Sequence, residues 1–156
     1  MFLNHCLVDR AMKPEYIGEY GEIAVYKELL KQNYEVYRAA SKIQEGWDIV
    51  VINNDQVIRI QVKTTILENK STNNSFKIHD NYNILVLVVL SLRDEELSKQ
   101  DNFYIMTKNE VMKIQGNNKL LSTTSSKGGK CTVIKEISEN VNKWNKIKEF
   151  KNGKNN

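Results

Sequence analysis

Residues 47–65 read WDIVVINNDQVIRIQVKTT, which is two β-branched runs separated by a turn. The first run, residues 47–52, ends at the sequence Asn-Asn-Asp, residue types that favour tight turns. In the second run, residues 57–65, apolar side chains alternate with Arg59, Gln61 and Lys63, as in a strand with two different faces. This stretch therefore predicts a β-hairpin.

Upstream of the hairpin, residues 15–32 repeat apolar side chains at helical spacing, directly after Pro14, a residue that suits the first turn of a helix. One apolar arc of this predicted helix consists of Tyr16, Ile17, Tyr20, Ile23, Ala24 and Leu30. A second line carries Glu22 together with Gly18, Val25 and Leu29, so that Glu22 shares its face with apolar neighbours. Residues 34–39 alternate like a strand, and the order up to residue 65 is therefore α-β-β-β.

Downstream of the hairpin, residues 83–92 are apolar on both faces, which is typical of a central buried strand. Short strands are predicted at 76–79, 103–106 and 131–134. Thr107 and Glu110 have the spacing of a capping box and predict a short helix that ends near Gly116. Residues 66–75 and 122–130 are interpreted as loops, and a lysine-rich helix is expected from about residue 138 to 150. The sequence predicts an α/β fold in which helices flank a mixed sheet, with the later elements in the order β-β-α and β-α.

Length and composition fit one domain, which we expect to cover residues 14–150, between a loose extension at 1–13 and a tail at 151–156. Of the 156 residues, 40% are apolar and 27% charged, and no apolar run is long enough to span a membrane, so a cytoplasmic protein is expected. The cysteines and histidines have no zinc-binding spacing. Residues 99–156 carry 12 Lys against 5 Asp and Glu. This basic half is compatible with nucleic acid binding, although a lysine-rich composition alone would also produce it.

The hairpin predicts a cluster of reactive groups, because its turn brings Asp48 close to Gln61 and Lys63, which share one strand face. With Glu22 nearby, the cluster would offer carboxylates, an amide oxygen and an amine. Phosphodiester hydrolysis needs such a set, since Asp48, Glu22 and the backbone carbonyl of Val62 can hold a hard divalent cation. Lys63 can then position or deprotonate the attacking water.

The same residues resemble a known family. The stretches GEIAVYKELLKQNYEVYRAA and GWDIVVINNDQVIRIQVKTT are similar to the catalytic core of the PD-(D/E)XK nuclease superfamily, and within it to the intron-encoded homing endonucleases of cyanobacteria. The resemblance implies a restriction-endonuclease-like core, Mg²⁺ (one or two ions), double-stranded DNA as substrate and a homo-oligomer, either dimer or tetramer. It places the family's catalytic positions on Glu22, Asp48, Gln61 and Lys63. Gln61 departs from the family's usual carboxylate, which puts the number of metal ions in doubt.

Residues that donate to phosphates and bases are candidates for DNA contact, although polar loops are also ordinary connectors. These candidates are Arg59, Lys70, Ser71, Asn73, Asn74, Ser125, Ser126, Lys127 and Lys130. Three other functions stay open on the sequence, the weakest of which is an interaction domain that binds no nucleic acid. The chain could be a structure-specific nuclease that cuts four-way junctions. A binding competition between long duplexes and junctions would distinguish this function from that of a site-specific endonuclease. The chain could also be a catalytically weakened DNA-binding relative, which would bind DNA without cutting it.

Overall fold

The computed structural model describes residues 13–41, 45–67, 74–90, 101–128 and 130–151, with only the backbone of Lys130. The predicted extension at 1–13 lies almost wholly outside these residues. The helices are α1 (Pro14–Lys31), α2 (Lys108–Gln115), α3 (Lys135–Ser138) and α4 (Asn145–Glu149). The strands are β1 (Glu35–Arg38), β2 (Ile49–Asn53), β3 (Gln56–Ile66), β4 (Ser75–Phe76), β5 (Ile84–Leu90), β6 (Asn102–Thr107), β7 (Leu121–Ser122), β8 (Thr124–Lys127) and β9 (Lys130–Val133).

A five-stranded mixed sheet in the order β1-β2-β3-β5-β6 forms the centre of the fold. Neighbouring strands run antiparallel except β3 and β5, which run parallel. All seven residues of β5 are buried, and alternate ones contact two apolar clusters on the two faces of the sheet. The predicted α/β class with a mixed sheet and flanking helices is therefore confirmed, as is β5 as its central buried strand. None of the described helices is both long and apolar enough to cross a membrane.

The predicted hairpin is β2 and β3, joined by a two-residue turn. Asn53 pairs with Gln56, and Asn54 and Asp55 have positive φ values of 49° and 61°. Two such residues in succession make the turn type whose twist matches that of the strands, and Asn and Asp tolerate this conformation better than most residues. The turn fixes the register that aligns the open ends of the two strands.

Helix α1 packs on the sheet through a different face from the apolar arc expected from the sequence. Its buried residues are Gly21, Val25 and Leu29, of which Val25 and Leu29 belong to the second line, that of Glu22. The side chains of Tyr16, Tyr20, Ile23 and Leu30 are 44–60% exposed. The cause lies at Gly21, where an added Cβ would be 1.8 Å from the Thr64 hydroxyl oxygen. A residue without a side chain lets this face approach β3 most closely, and a count of apolar residues does not detect that.

We expect Gly21→Ala to destabilise the fold by about 1–3 kcal/mol, because the new methyl group overlaps Thr64 and must push the helix away from β3. Gly18→Ala is the matched control in the same helix, since an added Cβ there meets nothing within 4 Å. It should leave the free energy of unfolding unchanged or raise it by up to about 1 kcal/mol through helix propensity. Urea unfolding of the two variants measures both effects, and equal midpoints would contradict the packing described.

The lysine-rich helix predicted from about residue 138 to 150 is wrong. Two short helices, α3 and α4, stand there instead, with Asn142 at a φ of 52° between them. The intervening backbone bonds to the edge of β6, since Asn142 N–H donates to the Phe103 carbonyl at 2.7 Å and Ile105 N–H donates to the Asn140 carbonyl at 3.0 Å. An edge strand has unpaired backbone groups, and satisfying them competes with continuing a helix.

The loop predicted at 122–130 is also wrong, because β8 and β9 form a hairpin there, with Thr124 opposite Val133 and Lys127 opposite Lys130. The sequence contains a signal for it: the pair Gly128-Gly129 is flanked by residues that suit strands, and such a pair favours a two-residue hairpin turn. Of the other expected loop, 66–75, the positions 68–73 lie outside the described residues. The capping box at Thr107 is confirmed, because both of its hydrogen bonds with Glu110 form and the helix ends at Gly116.

Candidate active site

Asp48 lies directly before β2, at the open end of the hairpin, where β3 continues past its antiparallel partner. Its backbone N–H donates to the Ile60 carbonyl at 2.9 Å, which continues the pairing of β2 with β3 by one residue. One carboxylate oxygen, Oδ2, accepts the Val62 backbone N–H at 2.7 Å. Burial raises the pKa of Asp48, and the Val62 N–H together with the positive charge of Lys63 partly offsets that effect. The carboxylate is thus held in a fixed direction at a partly buried position.

Gln61 lies on β3, opposite Asp48 in the extended register, and its side chain is on the same face of the strand as Lys63. Only 3% of Gln61 is exposed. Within the described part of the chain, its side-chain oxygen Oε1 is buried and has no hydrogen-bond partner. A buried acceptor without a partner costs about 1–3 kcal/mol, so this oxygen is a candidate ligand for a cation.

Lys63 lines a cleft of about 370 Å³ between the start of α1 and the far half of β3. The residues that line it are Pro14, Ile17, Gly18, Glu22, Val62, Lys63, Thr64 and Phe76. Burial lowers the pKa of the Lys63 amine, against the opposing effect of the negative charges on Asp48 and Glu22. Because burial disfavours the charged amine, Lys63 loses its proton more readily than an exposed lysine does, although the two carboxylates partly stabilise the charged form.

Glu22 enters the same cleft from α1, one residue after the close contact at Gly21. Burial and the nearby charge of Asp48 raise the pKa of Glu22, whereas a hydrogen bond from Arg38 lowers it. That bond joins Arg38 Nη2 to Glu22 Oε2 at 3.1 Å, and the same nitrogen contacts Glu19 Oε1 at 2.8 Å. The charges of Glu22, Asp48 and Lys63 therefore act on one another, and Glu22 and Lys63 line the same cleft.

A divalent cation fits this donor set. Glu22 and Asp48 supply carboxylate oxygens whose mutual repulsion a cation would relieve, and Gln61 supplies the orphaned amide oxygen. No group of three or more His, Cys, Asp or Glu side chains able to hold a metal occurs among the described residues.

The described candidates for DNA contact lie on different elements. Arg59 is half-buried, and its guanidinium donates to the side-chain oxygen of Asn81, so that it is held at the start of β5. The Asn74 carbonyl accepts two hydrogen bonds from Thr123, which joins it to the base of the β8–β9 hairpin. Exposed positions of that hairpin include Ser125, Ser126 and Lys127. The remaining candidates, which are Lys70, Ser71, Asn73 and the side chain of Lys130, lie outside the described residues.

Two neighbours of the site were missed by the sequence argument, Arg38 and His79. Arg38 ends β1 beside Ile49, and both Arg38 and His79 lie close enough to Asp48 to lower its pKa. The signal for Arg38 is its position at the last residue of a strand that pairs with the strand following Asp48. His79 has no comparable signal, because it reaches the site through the irregular segment before β5.

Comparison with known proteins agrees with this geometry. The family model described as PD-(D/E)XK endonuclease matches residues 12–86, which include all four residues of the predicted cluster. The solved structure of a bacterial homing endonuclease, I-Ssp6803I, is similar with a TM-score of 0.58 at 14% sequence identity, over 89% of this chain and 94% of that chain. No curated protein sequence matches the chain. At that identity the structural likeness concerns the fold, whereas the family model concerns the segment that builds the site. Over residues 12–86, this chain is similar to PD-(D/E)XK endonucleases.

Proposed function

We propose that the protein is a site-specific DNA endonuclease of the homing type that hydrolyses phosphodiester bonds with Mg²⁺. The observation that carries the proposal is geometric: Glu22, Val62 and Lys63 line one cleft, and the Val62 N–H holds the Asp48 carboxylate at 2.7 Å, within the segment that matches the PD-(D/E)XK endonuclease model. Structural likeness to a homing endonuclease over most of both chains supports the homing type. A junction-cutting nuclease has the same chemistry and is the alternative that substrate choice must exclude.

In the proposed reaction, Glu22, Asp48 and Gln61 hold the cation, and the Val62 carbonyl is a further oxygen available beside Asp48. A bound Mg²⁺ supplies positive charge for the phosphate oxygens and makes water more acidic. The Val62 N–H keeps the Asp48 carboxylate directed toward the site, since it occupies Oδ2. Lys63, whose pKa is lowered by burial, orients the attacking water and can accept its proton.

Contact with double-stranded DNA is proposed for the β8–β9 hairpin in particular. A two-stranded ribbon fits the major groove, and hydroxyl and ammonium groups donate to phosphates and base edges. Ser125, Ser126 and Lys127 are exposed along one strand of this ribbon, beyond the base that Asn74 fixes. Lys70, Ser71, Asn73 and Lys130 remain proposed contacts by sequence alone. Arg59 is a weaker candidate than its sequence position implies, because Asn81 already accepts from it.

A homo-oligomer, dimer or tetramer, is proposed because one cluster per chain can cut one strand at a time. The outer face of α1 supports it, since this face leaves Tyr16, Tyr20, Ile23 and Leu30 exposed. Several exposed apolar side chains on one face indicate an association surface.

We expect Leu30→Lys to weaken self-association, because it places a charge in that apolar face about two turns away from Glu22. Sedimentation velocity would show a shift toward monomer, and plasmid cutting would change from linear product to nicked circles. Met112→Lys is the control, since Met112 is an equally exposed apolar residue on α2. If the wild type is an oligomer and Leu30→Lys sediments with the same mass, the α1 face is not the association surface.

The experiment that tests the proposed function is cleavage of a randomised DNA library by the wild-type protein with Mg²⁺, followed by sequencing of the product ends. A long recurrent sequence at the ends is the expected result. Ends without sequence preference, together with tighter binding to four-way junctions than to duplexes, would support the junction nuclease instead. Salt-sensitive binding without any cutting would identify a catalytically weakened relative.

A further inference from the structure

Arg38 holds the carboxylate that the proposed cation needs. Its Nη2 atom donates to Glu19 Oε1 at 2.8 Å and to Glu22 Oε2 at 3.1 Å. Glu19 and Glu22 are one turn apart on α1, so a single guanidinium nitrogen bridges successive turns of the helix. Glu22 therefore has two possible cationic partners, the guanidinium that occupies it here and a metal ion in the cleft.

These two partners oppose each other. A cation on Glu22 and a guanidinium on the same carboxylate are like charges within a few ångströms, in a cleft that is partly shielded from water. Among the described residues, the basic side chains that lower the pKa of Glu22 or Asp48 are Arg38, Lys63 and His79. The metal ion would be accommodated best if the Arg38 guanidinium bound a different anion. The DNA substrate of a nuclease supplies such an anion, since every nucleotide carries a phosphate.

We propose that Arg38 is a phosphate-binding residue held in reserve: Glu19 and Glu22 hold its guanidinium in the DNA-free protein, and a backbone phosphate of bound DNA takes it over and releases Glu22 to the divalent cation. The inference rests on the proposed function, because it requires DNA to lie across the cleft of Glu22.

The surroundings of Arg38 suit such an exchange. About a third of its side chain is exposed (33%), so a phosphate can reach it without opening the fold. A guanidinium has five N–H donors in a planar fork that matches phosphate oxygens, and both bonds made here use one nitrogen. Glu19 is the closer and more exposed of the two carboxylates, and it can keep the guanidinium beside the cleft after Glu22 is released.

The test uses Arg38→Gln, with Arg38→Lys as the conservative variant. Lys31→Gln is the matched control, because it removes the same charge and one ion pair from the same helix, that of Lys31 with Glu28 at 2.9 Å. Binding to a short duplex of mixed sequence is measured without divalent cations between about 50 and 200 mM salt, where each phosphate contact contributes about 0.9 to the slope of log affinity against log salt. Binding of Mn²⁺ to the DNA-free proteins is measured by calorimetry.

Arg38→Gln should lower the salt slope by about 0.9 and bind Mn²⁺ about two- to fivefold more tightly, which corresponds to the loss of one partly exposed competing ion pair. Arg38→Lys should keep the slope of the wild type, and Lys31→Gln should change neither quantity. An unchanged slope for Arg38→Gln would overturn the phosphate contact, and weaker Mn²⁺ binding would overturn the competition. A wild-type protein that binds no duplex would refute the proposed function and this inference together, whereas wild-type cutting with an unchanged slope refutes the inference alone.

Discussion

Asp48→Asn is expected to reduce DNA cleavage by about a thousandfold or more while the fold gains stability. The variant removes one of the two carboxylates proposed to hold the cation, and metal sites contribute several kcal/mol to the stabilisation of such a transition state. An asparagine oxygen can still accept the Val62 N–H, so the local structure should persist. The measurement is single-turnover cleavage at saturating protein, in parallel with thermal unfolding.

The expected gain in stability follows from the sign of the pKa change. Burial raises the pKa of Asp48, which means that the folded protein disfavours the ionised form more than the unfolded chain does. In metal-free buffer the neutral asparagine should therefore raise the melting temperature at neutral pH. The difference should vanish as the pH falls below the usual aspartate pKa of about 3.9, where both states are protonated. A loss of activity accompanied by a lower melting temperature would indicate a disrupted fold instead of a lost metal ligand.

Lys63→Met is expected to have the second large effect. It should slow DNA cutting by about 10²–10⁴-fold and leave the affinity for DNA nearly unchanged. Methionine preserves the apolar part of the side chain and removes the amine, whose charge interacts with those of Asp48 and Glu22. Burial lowers the pKa of Lys63, so its charge is costly in the folded state, and the variant should unfold no more readily than the wild type.

Lys113→Met provides the control for Lys63→Met, because Lys113 is an exposed lysine on α2. It should lose neither activity nor stability. Gel-shift titrations in the absence of divalent cations separate binding from chemistry. If Lys63→Met weakened DNA binding as much as it slowed cutting, Lys63 would be a phosphate ligand without a role in activating water.

The sequence was sufficient for the hairpin and for the residues that it brings together. A β-branched run, a two-residue Asn-Asp turn and strict alternation determine both the register and the faces, so the proximity of Asp48, Gln61 and Lys63 is a local consequence of residues 47–65. Central strand β5 was equally predictable, because seven consecutive apolar residues put apolar side chains on both faces of the sheet, and both faces must then be covered. These features need no information from distant parts of the chain.

The errors arose where distant parts of the chain compete. The buried face of α1 is decided by the absence of a side chain at Gly21 opposite Thr64, and the pattern of apolar residues on α1 indicates a different face. The segment around Asn142 leaves the predicted helix to bond with the edge of β6. Lys146, which lies in the segment of the predicted lysine-rich helix, contacts the Glu110 carboxylate at 2.7 Å. Arg38 belongs to the site only because β1 pairs with β2, which no local pattern records.

The central claim is that Glu22, Asp48 and Gln61 bind one divalent cation beside Lys63, and anomalous scattering from a crystal grown with Mn²⁺ tests it most directly. The account predicts a peak within coordination distance of both carboxylates and of the Gln61 Oε1 atom, which has no other partner in the described structure. A peak bound elsewhere, or none at these residues in a protein that cuts DNA with Mn²⁺, would contradict it.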